Sequence, residues 1–119
     1  PLNLNQFINH LGTSSVLLDP IYFGSGNSFH ESMFYGTQTV TLPTKYIKSR
    51  IVSAAYKQME VKNPPIVKNK DDYVDRAIEI ANDENILDRK KYYQQAANEK
   101  LFNTEDVGEK FNSILKKLF

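Results

Sequence analysis

The sequence predicts an α/β fold, with a fragment of parallel sheet over residues 1–62 and a group of C-terminal helices over residues 63–119. Three observations carry this. Apolar runs too short to be helices alternate with segments of helical period, the order of strand–helix–strand crossover units. The first run, Ser15-Val16-Leu17-Leu18-Asp19, is continuously apolar up to its carboxylate, as in a strand covered on both faces of a parallel sheet. Beyond about residue 60 the clear periodic segments are all helical, and they are charged.

In chain order, Leu4, Phe7, Ile8 and Leu11 recur at i, i+3, i+4 and i+7, one face of a helix. Asn3 is its expected N-cap and Gly12 its expected stop. After the Ser15–Asp19 strand, residues 20–27 form a loop rich in Gly and Ser. A second helix is expected from about Asn27 to Tyr35, with Phe29 and Met33 inward and Gly36 ending it. Thr39-Val40-Thr41-Leu42 is the second strand, stopped by Pro43. Ile47, Ile51, Ala54, Ala55 and Met59 then repeat at helical spacing.

Asn63-Pro64-Pro65 punctuates the chain, and Ile66-Val67 reads as a small edge strand. Val74, Ala77, Ile78 and Ala81 mark the inner face of a charged helix, and Glu84 to Glu99 a second one. Val107, Phe111, Ile114, Leu115 and Leu118 mark a terminal helix capped by Asn103 or Thr104. Its Glu105 and Asp106 fall in the first turn and Lys116 and Lys117 in the last, which complements the helix dipole.

Composition narrows the function classes. The chain has 119 residues, 40% of them hydrophobic, which is one domain or part of one, with enough apolar mass for a core. A net charge of +1 gives no electrostatic case for nucleic acid or an anionic membrane. Residues 1–44 nevertheless hold only Asp19 and Glu31 among charged side chains, as a buried or site-lining segment does. There is no cysteine, so disulfides and thiolate metal sites are excluded, and a reducing cytoplasm is the expected location. No apolar run approaches the roughly 18 residues of a membrane span, and no signal-peptide pattern is present. The start at Pro1-Leu2-Asn3, without a methionine, is read as the start of an excised or truncated segment.

The chemistry concentrates between Leu17 and Glu31, where a buried strand is followed by a glycine turn, Phe23-Gly24-Ser25-Gly26-Asn27-Ser28, and then a helix. Ligands of open α/β sheets sit outside the carboxyl ends of the strands. Glycines let backbone approach a ligand closely, and a helix start offers unpaired N–H groups and the positive dipole end. Ser25, Gly26, Asn27 and Ser28 are therefore candidate phosphate contacts. Glu31, one turn on, is placed to accept from the vicinal hydroxyls of a ribose. His30 reaches a phosphate if it faces the loop. Thr44 and Lys45, in the next strand-to-helix loop, open on the same sheet edge. A Gly-x-Gly turn equally serves plain strand-to-helix packing, since it lacks the third glycine of the dinucleotide fingerprint and the Gly-Lys-Ser/Thr of a P-loop.

The progression Leu18-Asp19-Pro20, glycine turn, Gly36-Thr37-Gln38-Thr39-Val40-Thr41-Leu42-Pro43, then Ser49-Arg50-Ile51-Val52 resembles the C-terminal lobe of the O-linked GlcNAc transferase family. Asp72-Tyr73 followed by Ala77, and Leu101-Phe102-Asn103-Thr104 opening the last helix, are similar to two further elements of that family. The likeness spans nearly the whole chain. It implies the C-terminal half of a Rossmann-like donor lobe in a two-lobe (GT-B) glycosyltransferase. It also implies a UDP-sugar as donor substrate, no other cofactor and no metal, and transfer of GlcNAc to Ser or Thr of a protein acceptor.

The acceptor would bind through an N-terminal lobe that also holds the general base, so the 119 residues alone are expected to be inactive. Tetratricopeptide repeats are expected upstream. The family's Thr pair at the diphosphate corresponds to Asn27 and Ser28, and its ribose carboxylate to Glu31. Its His before the Thr pair corresponds to Gly26, a departure that removes that contact. Two other readings remain: a non-catalytic nucleotide- or partner-binding module, and a relative of the asparagine glucosyltransferases.

Overall fold

A computed structural model describes residues 1–119 and shows a mixed α/β chain, mostly helical, around a small parallel sheet. The elements are α1 (Leu4–Thr13), β1 (Leu17–Leu18), α2 (Asn27–Met33), β2 (Thr39–Val40), a 3-10 turn (Ile47–Ser49) and α3 (Ile51–Met59). They are followed by α4 (Lys70–Ala81), α5 (Ile86–Ala96), a π turn (Ala97–Leu101) and α6 (Glu105–Leu118).

β1 and β2 pair in parallel with Leu17 opposite Thr39 and Leu18 opposite Val40. The pairing is closed by Leu17 N–H to Gln38 C=O at 2.8 Å and Asp19 N–H to Val40 C=O at 2.9 Å. On the far side of β2, a parallel bridge joins Thr41 to Ile66, with Thr41 N–H on Pro65 C=O and Val67 N–H on Thr41 C=O. The expected Ile66-Val67 edge strand is thus present as a single bridge. It does not reach back to Thr39, where the Tyr56 hydroxyl takes its place. That hydroxyl accepts from Thr39 N–H at 2.8 Å and donates to Thr39 C=O at 3.0 Å. A buried backbone N–H and C=O must find partners, and a side chain supplies both here.

The core lies between α2, α3 and the α5–π segment: Phe29 and Met33; Val52, Ala55, Tyr56 and Met59; then Val61, Tyr93 and Ala97. Phe29, Tyr56 and Tyr93 meet edge to face at 5.2 and 5.8 Å. Asn3 caps α1 through a full capping box with Gln6. Gly36 ends α2 at φ +69°, where a Cβ would run into the Lys90 carbonyl oxygen, so only glycine fits.

Several expectations are corrected. β1 is shorter than Ser15–Asp19 and is not covered on both faces, because Leu18 is 56% exposed. α1 runs through Gly12 to Thr13, and Gly12 instead lets the Tyr35 ring approach. The inner face of α3 is Val52, Ala55, Tyr56 and Met59, whereas Ile47 lies in the 3-10 turn, 86% exposed, and Ala54 is exposed. α4 is rotated likewise: Ile80 is buried and Tyr73 and Ala77 are half-buried, while Val74, Ile78 and Ala81 face solvent.

Candidate functional site

The site is built on the carboxyl end of β1. Asp19, the first residue past the strand, is buried, and its carboxylate holds two elements at once. Oδ1 accepts from the Ser25 N–H at 2.6 Å, which folds the glycine turn back onto the sheet. Oδ2 accepts from the Thr41 hydroxyl at 2.6 Å, which ties the turn to the end of β2. The Tyr73 hydroxyl of α4 donates to the Asp19 carbonyl at 2.8 Å. Its phenol is pushed above the ordinary tyrosine range by burial and by the Asp19 charge.

The turn is also fastened to the next loop. Gly24 N–H donates to Lys48 C=O at 2.8 Å, and a Cβ at Gly24 would lie 2.9 Å from that oxygen and 3.3 Å from Asp19 Oδ1. The two strand-to-helix loops, 19–28 and 43–50, therefore form one rim. Within the second loop, the Ser49 hydroxyl donates to Tyr46 C=O, accepts from Thr44 N–H at 3.0 Å and lies 2.6 Å from the Thr44 hydroxyl. The Thr44 hydroxyl is thereby engaged in shaping the loop. Lys45 is exposed, its ammonium 5.2 Å from the centre of the Tyr46 ring.

Gly26 is the residue before α2, at φ −109° and ψ −90°, and no side chain caps that helix. Asn27 and Ser28 form its first positions, exposed and half-buried, with no side-chain hydrogen bond to another residue. The first α2 amide to find a backbone carbonyl is that of His30, on Gly26 at 3.3 Å. The His30 ring also turns back: Nδ1 lies 2.9 Å from the Gly26 carbonyl, so Nδ1 carries the proton and donates. The same ring meets Phe29 edge to face and borders a cavity of about 560 Å³ along α3, with Ile51, Arg50, Lys57 and Leu101. His30 thus faces the cavity along α3, which Arg50 of the second loop also lines. Glu31 is half-buried, four residues after Asn27, and its carboxylate bonds to no protein group.

Ser25, Gly26, Asn27 and Ser28 are accordingly gathered on one turn. Lys45, Lys48 and Arg50 stand on the adjoining loop, and none of the three is in an ion pair. Asp19 is the residue that sequence reading left out of the site. Its signal was its place at the end of an apolar run, since a carboxylate there must find donors. No group of three or more His, Asp or Glu side chains is arranged to hold a metal ion. No helix is long and apolar enough to cross a membrane.

The remaining charges are structural. Lys90 donates to the carbonyls of Gly12 and Ser14 at 2.7 and 2.8 Å, closing the end of α1. Burial lowers its pKa. Of the basic run Arg89-Lys90-Lys91, Lys90 is thus engaged by backbone carbonyls, and Arg89 pairs with Asp83. No protein-family model matches the chain, and no curated protein matches it.

Proposed function

We propose that the chain is the donor-binding part of a glycosyltransferase, the C-terminal half of a GT-B donor lobe like that of the O-linked GlcNAc transferases. One observation carries the reading: a preformed glycine turn opens into an uncapped helix start beside a loop with three unpaired cations. That is a place for a diphosphate. The α2 amides, Asn27 and Ser28 donate to its oxygens, and Lys45 supplies positive charge at the rim. Glu31, with no protein partner, takes the ribose hydroxyls.

In the reaction, an acceptor Ser or Thr oxygen attacks the anomeric carbon of the UDP-sugar, GlcNAc by resemblance. The bond from that carbon to the diphosphate oxygen breaks, and the hydroxyl proton passes to a base outside these residues. The turn stabilises the departing charge. These 119 residues therefore bind donor without transferring it.

Isothermal titration with UDP tests the reading. Binding is expected, and Glu31→Ala should weaken it by about 1.5–3 kcal/mol, the value of a hydrogen bond to a charged group. Absence of UDP binding to a protein carrying both lobes would overturn the donor site. Binding that Glu31→Ala leaves unchanged would remove the ribose role. UDP binding without sugar transfer by that two-lobed protein would favour the non-catalytic module.

A further inference from the structure

The cavity of about 560 Å³ along α3 has the volume of a small-molecule site. Ile51 and Ala54 of α3, Ile47 of the 3-10 turn and Leu101 of the π turn supply its apolar lining. Ala54 is exposed, and its small side chain leaves room above the helix.

The charged groups of the lining are Arg50 and Lys57, and no Asp or Glu joins them. Both are exposed, and neither is in an ion pair. Glu60, one turn beyond Lys57, is held by Lys100 at 3.2 Å instead. The neutral polar groups are turned to the protein. The Ser53 hydroxyl donates to the Arg50 carbonyl at 3.0 Å, and the Gln58 amide to the Lys100 carbonyl at 3.0 Å. His30 donates from Nδ1 to the Gly26 carbonyl, which leaves Nε2 an acceptor that a carboxylate avoids. Arg50 and Lys57 are seven positions apart in the chain. Two helical turns on one face separate them by about 10 Å along the axis, with Ala54 between.

The geometry points to a binding site for a small amphipathic dicarboxylate, its apolar chain lying over Ala54 and Ile51 and one carboxylate at each cation. The planar Arg50 fork takes a carboxylate bidentately, and Lys57 meets the other as a point charge. Two positive charges balance two carboxylates, whereas two phosphate monoesters would bring a charge of about −3 to −4. The ligand differs from that of the glycine turn, and the site stands whether or not the turn takes UDP.

Octanedioate is the probe, followed by amide chemical shifts of the whole chain. The Ala54 and Leu101 amides should shift and saturate with Kd about 0.1–1 mM, as fits a ligand of about a dozen heavy atoms. Butanedioate, too short to span the cations, and octanediol, which has no charge, should each bind at least about fivefold more weakly. Arg50→Gln and Lys57→Gln should each weaken octanedioate about two- to fivefold, the value of an exposed ion pair. Ala54→Leu fills the cavity from an exposed helical position. It should abolish the saturable shifts while the circular dichroism is unchanged. Saturating UDP should leave octanedioate bound. No saturable shift up to about 10 mM, octanediol binding as tightly as octanedioate, or undiminished binding in Ala54→Leu or in both glutamine variants would each overturn the inference. Displacement of octanedioate by UDP in step with UDP occupancy would also overturn it, by returning the cavity to the donor site.

Discussion

Replacing Asp19 with alanine gives the sharpest test of how the candidate site is held. The substitution leaves the Ser25 N–H and the Thr41 hydroxyl without the acceptor that each now reaches at 2.6 Å. Hydrogen bonds to a charged group contribute about 1.5–3 kcal/mol each, so the gross loss is roughly 3–6 kcal/mol. Burying the carboxylate has its own desolvation cost, which the substitution relieves, and the net destabilisation is expected at about 2–4 kcal/mol. Asp19→Asn separates the two bonds. The amide oxygen can still accept from Ser25 while the NH₂ donates to Thr41, so that only the Thr41 proton loses its acceptor, at about 1 kcal/mol. Urea denaturation followed by far-UV circular dichroism measures the stabilities, and amide exchange at Ser25 reports the turn itself. The turn should open well below the global unfolding free energy in Asp19→Ala. A cost under about 1 kcal/mol together with unchanged Ser25 exchange would refute the account, since both donors would then have found other partners.

Two further predictions concern the scaffold. Gly36→Ala should destabilise by at least about 3 kcal/mol, because it combines a positive φ with a Cβ driven into a backbone oxygen of α5; an unchanged urea midpoint would count against the α2–α5 contact. Tyr56, Tyr73 and Tyr93 all have pKa values raised mainly by burial above the ordinary 10.0. Their contribution is complete below pH 10 and is lost above it, as the unfolded chain ionises while the folded one resists. Stability should therefore fall steeply above about pH 10, by up to ~1.4 kcal/mol per pH unit for each of the well-buried phenols Tyr56 and Tyr93 and by less for the more exposed Tyr73, with a shallower fall in Tyr56→Phe after allowance for its lower starting stability.

What was legible in the sequence was local. The capping box at Asn3, the strand–turn–helix order at 17–33, the inward Phe29 and Met33 and the stop at Gly36 follow from residues within a few positions of each other. The faces of α3 and α4 were misread because each helix carries two apolar stripes, and periodicity alone cannot say which one turns inward. In α3 the choice is made by Tyr56, whose hydroxyl is needed at Thr39, 17 residues away. In α4 it is made by Tyr73, which reaches the Asp19 carbonyl across 54 residues. Lys90 reads as part of a basic run until the end of α1, 76 to 78 residues away, supplies carbonyls for it. In each case a polar group finds its partner at long range, which local pattern does not encode.

The two glycines of the turn act differently, and the difference bears on how the site works. Gly24 is confined: a side chain there would strike the Lys48 carbonyl and crowd Asp19, so its lack of a Cβ is what lets the two loops join. Gly26 is unconfined, with nothing within 4 Å of the place a Cβ would occupy. Its smallness is not required by packing and instead leaves the approach to the first α2 amides open. The turn is thus fixed from beneath by Asp19 and from the side by Lys48, while the face that would meet a diphosphate is bare. A site ordered before its ligand arrives spends little binding energy on ordering itself, so affinity would rest on the amides of α2, the cations of the second loop and Glu31.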